Sequence, residues 1–152
     1  MKKIKPYIVG AVAGIVMYAF IFAIFHPFVV SGPSMEPTFH DQNFVISEKV
    51  KGDYSVGDVA IVIMDGRKCI KRVVALPGET INIKDGILYV NGEAVSESFE
   101  PMEEAGMFDE PYTLQEDEYA FLGDNRNNSL DSRYYGPVKR DHILYRVTKK
   151  II

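Results

Sequence analysis

Nineteen consecutive residues, Tyr7 to Phe25, carry no charge, and nothing else in this sequence restricts its fold so severely. Roughly 20 apolar residues in a helix cross the hydrocarbon of a bilayer, so the run predicts one membrane helix. Lys2, Lys3 and Lys5 precede it. Positive flanks resist translocation, which predicts a cytoplasmic N-terminus and an extracytoplasmic location for everything after the helix. A cleaved secretory signal would have an apolar region of only about 7 to 15 residues and end in a small-x-small site. Here Phe25-His26-Pro27-Phe28-Val29-Val30 follows, and residues 1–26 read as an uncleaved, single-pass anchor. Gly10 and Gly14 have GxxxG spacing, a common pattern in membrane helices that also supports helix pairing.

Residues 27–152 have room for one domain with a single core. Beyond Phe25 there are 14 basic residues against 21 acidic ones, a net charge of −7, which argues against a nucleic-acid partner. Cys69 is the single cysteine, so an intramolecular disulfide is excluded, and His26, His40 and His142 lack ligand-like spacing. No metal or cofactor is expected. Alternating or short apolar runs predict strands at 43–50, 58–64, 69–76, 80–84, 87–90, 119–122 and 143–148. Asp85-Gly86 and Asn91-Gly92 are two-residue hairpin signals, because both kinds of residue accept positive φ. The expected fold is mostly β: coiled antiparallel sheets in one catalytic domain behind the membrane helix, with no helical periodicity outside the anchor. Residues 97–118 carry nine acids and are interrupted by Pro101, Gly106 and Pro111. They are expected to form a solvated surface excursion.

Three stretches carry chemistry. In Ser31-Gly32-Pro33-Ser34-Met35-Glu36-Pro37-Thr38 the prolines exclude a helix, so Ser34 sits on a stiff turn close to the anchor. A serine nucleophile needs a base. His40 and His142 are poorly placed by spacing, His142 lying in what reads as a helix-free lead into the last strand. Lys71 alternates along a strand with Cys69, Val73 and Ala75 and so is inserted into an apolar face. Desolvation lowers a lysine pKa from about 10.4, the condition a lysine base needs at neutral pH. The plainer alternative is a lysine that snorkels at a strand edge or forms an ion pair. The third stretch, Gly123 to Arg133, interleaves Asp124 and Asp131 with Arg126 and Arg133, which can form charge-assisted pairs that fix a loop. Otherwise it is a polar loop of local turns.

Together these blocks, with Gly57 to Val62 and Lys71 to Glu79, resemble the bacterial type I signal peptidase family, in order and over most of residues 1–138; the short length is similar to its Gram-positive form. The resemblance implies a membrane-bound serine endopeptidase that removes signal peptides from exported preproteins with a Ser-Lys dyad. On that reading Ser34 attacks the scissile carbonyl, Lys71 takes its proton and later activates water, Ser129 orients the lysine, and Asp131 and Arg133 hold the loop. The backbone N–H of Ser34 would serve the oxyanion. Substrate would lie extended beside the strands flanking the dyad, with pockets for small residues at −1 and −3. Some members use a serine hydroxyl two residues before the nucleophile as an oxyanion donor; here that position is Gly32. Phe25, Phe28 and Phe39 would form an apolar rim resting at the lipid surface. The alternatives are a self-cleaving Ser-Lys repressor-like peptidase, which would carry a cytoplasmic DNA-binding domain in place of the anchor, and a non-enzymatic, membrane-tethered β domain.

Overall fold

The computed structural model describes residues 5–151, and the side chains of residues 7–19 and 25–151. Helix α1, Lys5–Ile24, opens the chain, and each of its described side chains is exposed. Among the described residues no helix is long and apolar enough to cross a membrane. Lys2 and Lys3, on which the orientation expectation rests, lie outside the described residues.

Strand β1, Phe25–Val29, follows α1 without a linker and pairs antiparallel with β2, Phe44–Glu48. The boundary expected after residue 26 therefore falls inside a strand. The apolar run conceals the change from helix to strand, and Pro27 is tolerated because β1 is an edge strand with one unpaired side. The other strands of the larger sheet are β3, Val59–Met64, and β4, Arg67–Ala75, then β9, Glu118–Leu122, β10, Val138–Lys139, and β11, Ile143–Lys150. Their order is β1-β2-β11-β3-β4-β9-β10. A smaller sheet of order β7-β6-β5-β8 is built from β5, Thr80–Lys84, β6, Ile87–Val90, β7, Glu93–Ala94, and β8, Tyr112–Thr113. Every recorded pairing is antiparallel. The expected mostly-β architecture of antiparallel sheets is therefore present.

Asp85-Gly86 and Asn91-Gly92 both have positive φ at each residue, the two-residue geometry that matches the twist of the strands they join. Asp65-Gly66 does the same between β3 and β4. One short helix, α2, Ser132–Tyr135, departs from the expected absence of helix after the anchor. At four residues it is too short to leave a periodic signal, and its start is set by the Asp131 carboxylate accepting the Arg133 N–H. His142 likewise ends a 3-10 turn, Arg140–His142, in place of the helix-free lead that was expected.

The acidic stretch 97–118 is corrected most. Met102, Phe108 and Leu114 are buried and pack with Val74, Ile81, Ile83, Leu88 and Leu122 between the two sheets. β8, inside this stretch, pairs with β5. Seven of its nine acids are exposed, Glu97 and Glu118 being half-buried, while three apolar residues anchor it, so it is a strap across the domain and not a solvated excursion.

Candidate active site

Ser34 is held from three sides. The turn at 30–43 is closed by the Val30 and Gln42 N–H groups donating to the Asn43 and Val30 carbonyls. Met35, the next residue, is fully buried with Val30, Phe39, Val45, Val59 and Ile70, and this plug fixes the turn to the sheet. Gly32 has φ +86°, a conformation that residues with a Cβ adopt with strain, so the backbone itself favours glycine here. The Gly32 N–H donates to Asp41 Oδ1 at 2.8 Å, which holds the Asp41 carboxyl below its ordinary value.

Lys71 comes from β4, opposite Ala60 of β3. Its Nζ lies 2.7 Å from Ser34 Oγ and donates to the Ile70 carbonyl at 3.0 Å. Lys71 is only 4 % exposed and, among the described residues, has no carboxylate in salt-bridge contact. Burial pushes its amine below the ordinary value, against the weaker upward pull of Cys69, Asp131 and Asp124. Of the residues expected to share a face with Lys71, Cys69 and Val73 join one apolar cluster. Ala75 does not, because the β4–β9 register shifts between Val73 and Ala75 and carries Ala75 into the inter-sheet core. Neither histidine reaches Ser34: His40 pairs with Glu36 at 3.5 Å, and His142 is exposed.

The loop 123–133 packs on the serine turn. A Cβ at Gly123 would meet Ser129 Oγ at 2.2 Å and the Ser34 carbonyl oxygen at 2.4 Å, so only glycine permits this approach. Asp131 is fully buried and accepts from the Gly123 N–H and from Arg133 Nε and its second guanidinium nitrogen. Arg133 also donates to the Arg126 and Glu104 carbonyls. Asp131 and Arg133 thus join each other and tie together both ends of this loop. Ser129 does not make the expected contact with Lys71: its Oγ is buried beside Gly123 without a hydrogen-bond partner. It faces the same cleft as Ser34 and Lys71. The close Gly123–Ser129 packing determines where this hydroxyl sits.

Other anchors escaped the sequence reading. Asp124 pairs bidentately with Arg72 of β4, at 2.7 and 2.6 Å, and Arg126 pairs with Glu97 of the acidic strap at 2.5 and 2.7 Å. The two aspartates and two arginines of the loop were expected to pair with one another, yet only Asp131 and Arg133 do so. Phe99 from the strap lies under both guanidinium groups, 5.7 Å from Arg72 and 4.7 Å from Arg126. The absence of any basic residue between Lys84 and Arg126 was the available signal, because it obliges strap acids to find cations elsewhere.

The resulting cleft, about 480 Å³, is bordered by Ser34, Ile70, Lys71, Ser129 and, on the strap side, Glu103 and Glu104. Phe28 lines it as well, but Phe39 is buried beneath the turn and takes no part in an apolar rim. Among the described residues no group of three or more His, Cys, Asp or Glu is placed to share a metal ion.

The family model for signal peptidase, peptidase S26, matches residues 4–151. The chain belongs to that family. Signal peptidase I of Bacillus amyloliquefaciens is 34 % identical over 141 residues, covering 85 % of this chain and 75 % of the relative. That of Bacillus licheniformis is 36 % identical over 145 residues, covering 86 % and 76 %. A crystal structure of a signal peptidase I from Enterococcus faecalis aligns with a TM-score of 0.53 at 29 % identity, covering 64 % of this chain and 98 % of that one. Membership in the signal peptidase family makes the chain a hydrolase, a serine-type peptidase of the signal peptidase I kind whose reaction is the removal of signal peptides.

Proposed function

We propose that Ser34 and Lys71 are the dyad with which this peptidase cuts preproteins, and that its N-terminal apolar run anchors it at a membrane surface. The observation that carries the reading is the 2.7 Å separation of Lys71 Nζ from Ser34 Oγ, joined to burial of a lysine with no carboxylate in salt-bridge contact. A buried amine sheds its proton to avoid the cost of a desolvated charge. In that neutral state Nζ donates to the Ile70 carbonyl and offers its lone pair to the serine hydroxyl. Ser34 Oγ then forms a bond to the scissile carbonyl carbon while Nζ takes the hydroxyl proton, and the carbonyl electron pair moves onto oxygen. Collapse of that intermediate breaks the C–N bond, and Lys71 passes the proton to the departing amine of the mature chain. Lys71 then takes a proton from water, whose oxygen bonds to the ester carbonyl carbon, and returns that proton to Ser34 Oγ as the ester C–O bond breaks and the signal peptide leaves with a free carboxyl group. Asp131 and Arg133 hold the loop that carries Ser129, and the Ser34 backbone N–H receives the oxyanion.

The substrate class follows from the family: exported preproteins whose signal peptides end in small residues. The apolar, outward-facing side chains from Tyr7 to Ala19 support a lipid environment for α1, and the lysines before it favour a cytoplasmic N-terminus with the catalytic domain outside. The test is cleavage by purified full-length protein in detergent micelles of a preprotein ending in Ala-x-Ala. Wild type cuts after the second alanine, and Ser34→Ala and Lys71→Ala are each nearly inert. A Lys71→Ala variant that cleaves at the wild-type rate refutes the dyad.

A further inference from the structure

Gly32 removes the side-chain donor that some relatives point at the oxyanion, which leaves the Ser34 N–H with more to do. That N–H has no partner among the described residues. The orientation of a free amide is nevertheless fixed by the carbonyl on the other end of the same peptide plane, because a trans peptide holds C=O and N–H in opposite directions. The Pro33–Ser34 peptide is trans, the recorded cis bond being Glu36–Pro37. Its carbonyl oxygen is gripped twice, by the Glu36 N–H at 3.1 Å and by Asn125 Nδ2 at 3.2 Å. Asn125 also donates its own N–H to the next carbonyl, that of Ser34, at 3.1 Å.

We propose that Asn125 is a positioning residue for the oxyanion site: by holding the Pro33 and Ser34 carbonyls on its own side, it turns the Ser34 N–H away from the loop and keeps it available to the developing negative charge. The inference rests on the Ser34–Lys71 reading and adds a residue that touches neither substrate nor the reacting atoms. Three features make the arrangement specific. Gly123 lets the loop come within contact of the Ser34 carbonyl, where any Cβ would intrude. Asp124, the residue between Gly123 and Asn125, is locked to Arg72, the neighbour of Lys71, so the strand that carries the amine also sets the height of Asn125. The side chain itself must donate, since the Pro33 carbonyl offers only an acceptor and Nδ2 is the side-chain group of Asn125 that meets it, the bond to the Ser34 carbonyl coming from the backbone N–H.

The deciding variants are Asn125→Asp, which keeps the shape and the backbone donor but replaces Nδ2 with an oxygen that repels the Pro33 carbonyl, and Asn125→Ala. Loss of an oxyanion donor lowers kcat by about 100- to 1000-fold, and a donor still present but poorly aimed loses part of that. Asn125→Asp is expected to lower kcat on a preprotein about 100-fold and Asn125→Ala about 10-fold, water taking the vacated place in the latter. KM and the acid limb of the pH profile, which reports Lys71, stay where they are in wild type. Circular dichroism and thermal midpoints of both variants establish that the fold is retained. A kcat for Asn125→Asp within threefold of wild type, a loss expressed in KM, or a displaced acid limb overturns the proposal. Residual cleavage by Ser34→Ala in the same assay would overturn the dyad reading instead.

Discussion

Two neighbouring regions of this molecule bury cations in opposite ways. In the loop 123–133 and the strap beside it, Arg126 and Arg133 are 2 % and 3 % exposed and each meets a carboxylate, Glu97 and Asp131. On β4, Lys71 is equally buried, and what it meets is a hydroxyl and a carbonyl. A guanidinium cannot discharge itself, so it is buried only with a counter-ion. An amine can, and burial without a counter-ion is the means of making it do so. The arginine region is therefore a frame whose charges cancel, and the lysine region holds an amine whose burial favours its neutral form. Two adjacent residues of one strand show the contrast: Arg72 reaches Asp124 and its pKa is raised by that bond, while that of Lys71 is lowered by burial.

The contrast breaks most severely if the lysine is made into an arginine. Lys71→Arg places a permanent charge where a base is needed, and cleavage should fall by about 1000-fold or more, read as kcat on a preprotein substrate. Next come the frame carboxylates. Asp131→Ala leaves Arg133 buried and unpaired, and a thermal or denaturant transition should report a loss of about 3 to 5 kcal/mol. Glu97→Gln should cost less, about 2 kcal/mol, because that carboxylate is 18 % exposed and water can partly replace it. Equal losses at the two sites would mean that depth of burial does not grade the frame.

The smallest effect concerns stability and pH. The folded-state pKa of Lys71 lies below its unfolded value of 10.5, so between those two values the unfolded chain binds more protons than the folded one. Wild-type stability therefore gains with rising pH across that window, and the full penalty of burying the charge is present below it. The stability of Lys71→Met relative to wild type should accordingly fall as pH climbs towards 10.5, by at most about 1.4 kcal/mol per pH unit. A difference that does not vary with pH would contradict the depressed value.

Much of the larger architecture was legible in the residues. The predicted strands all appear, with ends shifted by a few residues, because their apolar alternation is local and strong. What lay outside local pattern was lost. β1 has no counterpart among the expected strands, and its first two residues, Phe25 and His26, were assigned to the anchor, because Phe25 to Val29 continues the apolar composition of α1. The Asp65-Gly66 turn was readable and was passed over. The strap was taken for solvated chain because its acids outnumber the three buried apolar residues that hold it, Met102, Phe108 and Leu114. At the site, the blocks singled out Ser34, Lys71, Asp131 and Arg133, and the fold brings Ser34 to Lys71 and Asp131 to Arg133, whereas Glu97, Asp124 and Asn125 act through partners far away in sequence. Spacing cannot report that a carboxylate 29 residues upstream closes on Arg126. Nor could it show that Ser129 would be turned towards Gly123 and left without a bond to Lys71.

The central claim is that burial without a salt-bridge partner lowers the pKa of Lys71 and so favours its neutral form. The direct measurement follows the Lys71 side-chain nitrogen by heteronuclear NMR through a pH titration of the wild-type protein in detergent micelles. A midpoint well below the ordinary 10.5 is the predicted result, and a midpoint at or above 10.5 would contradict it.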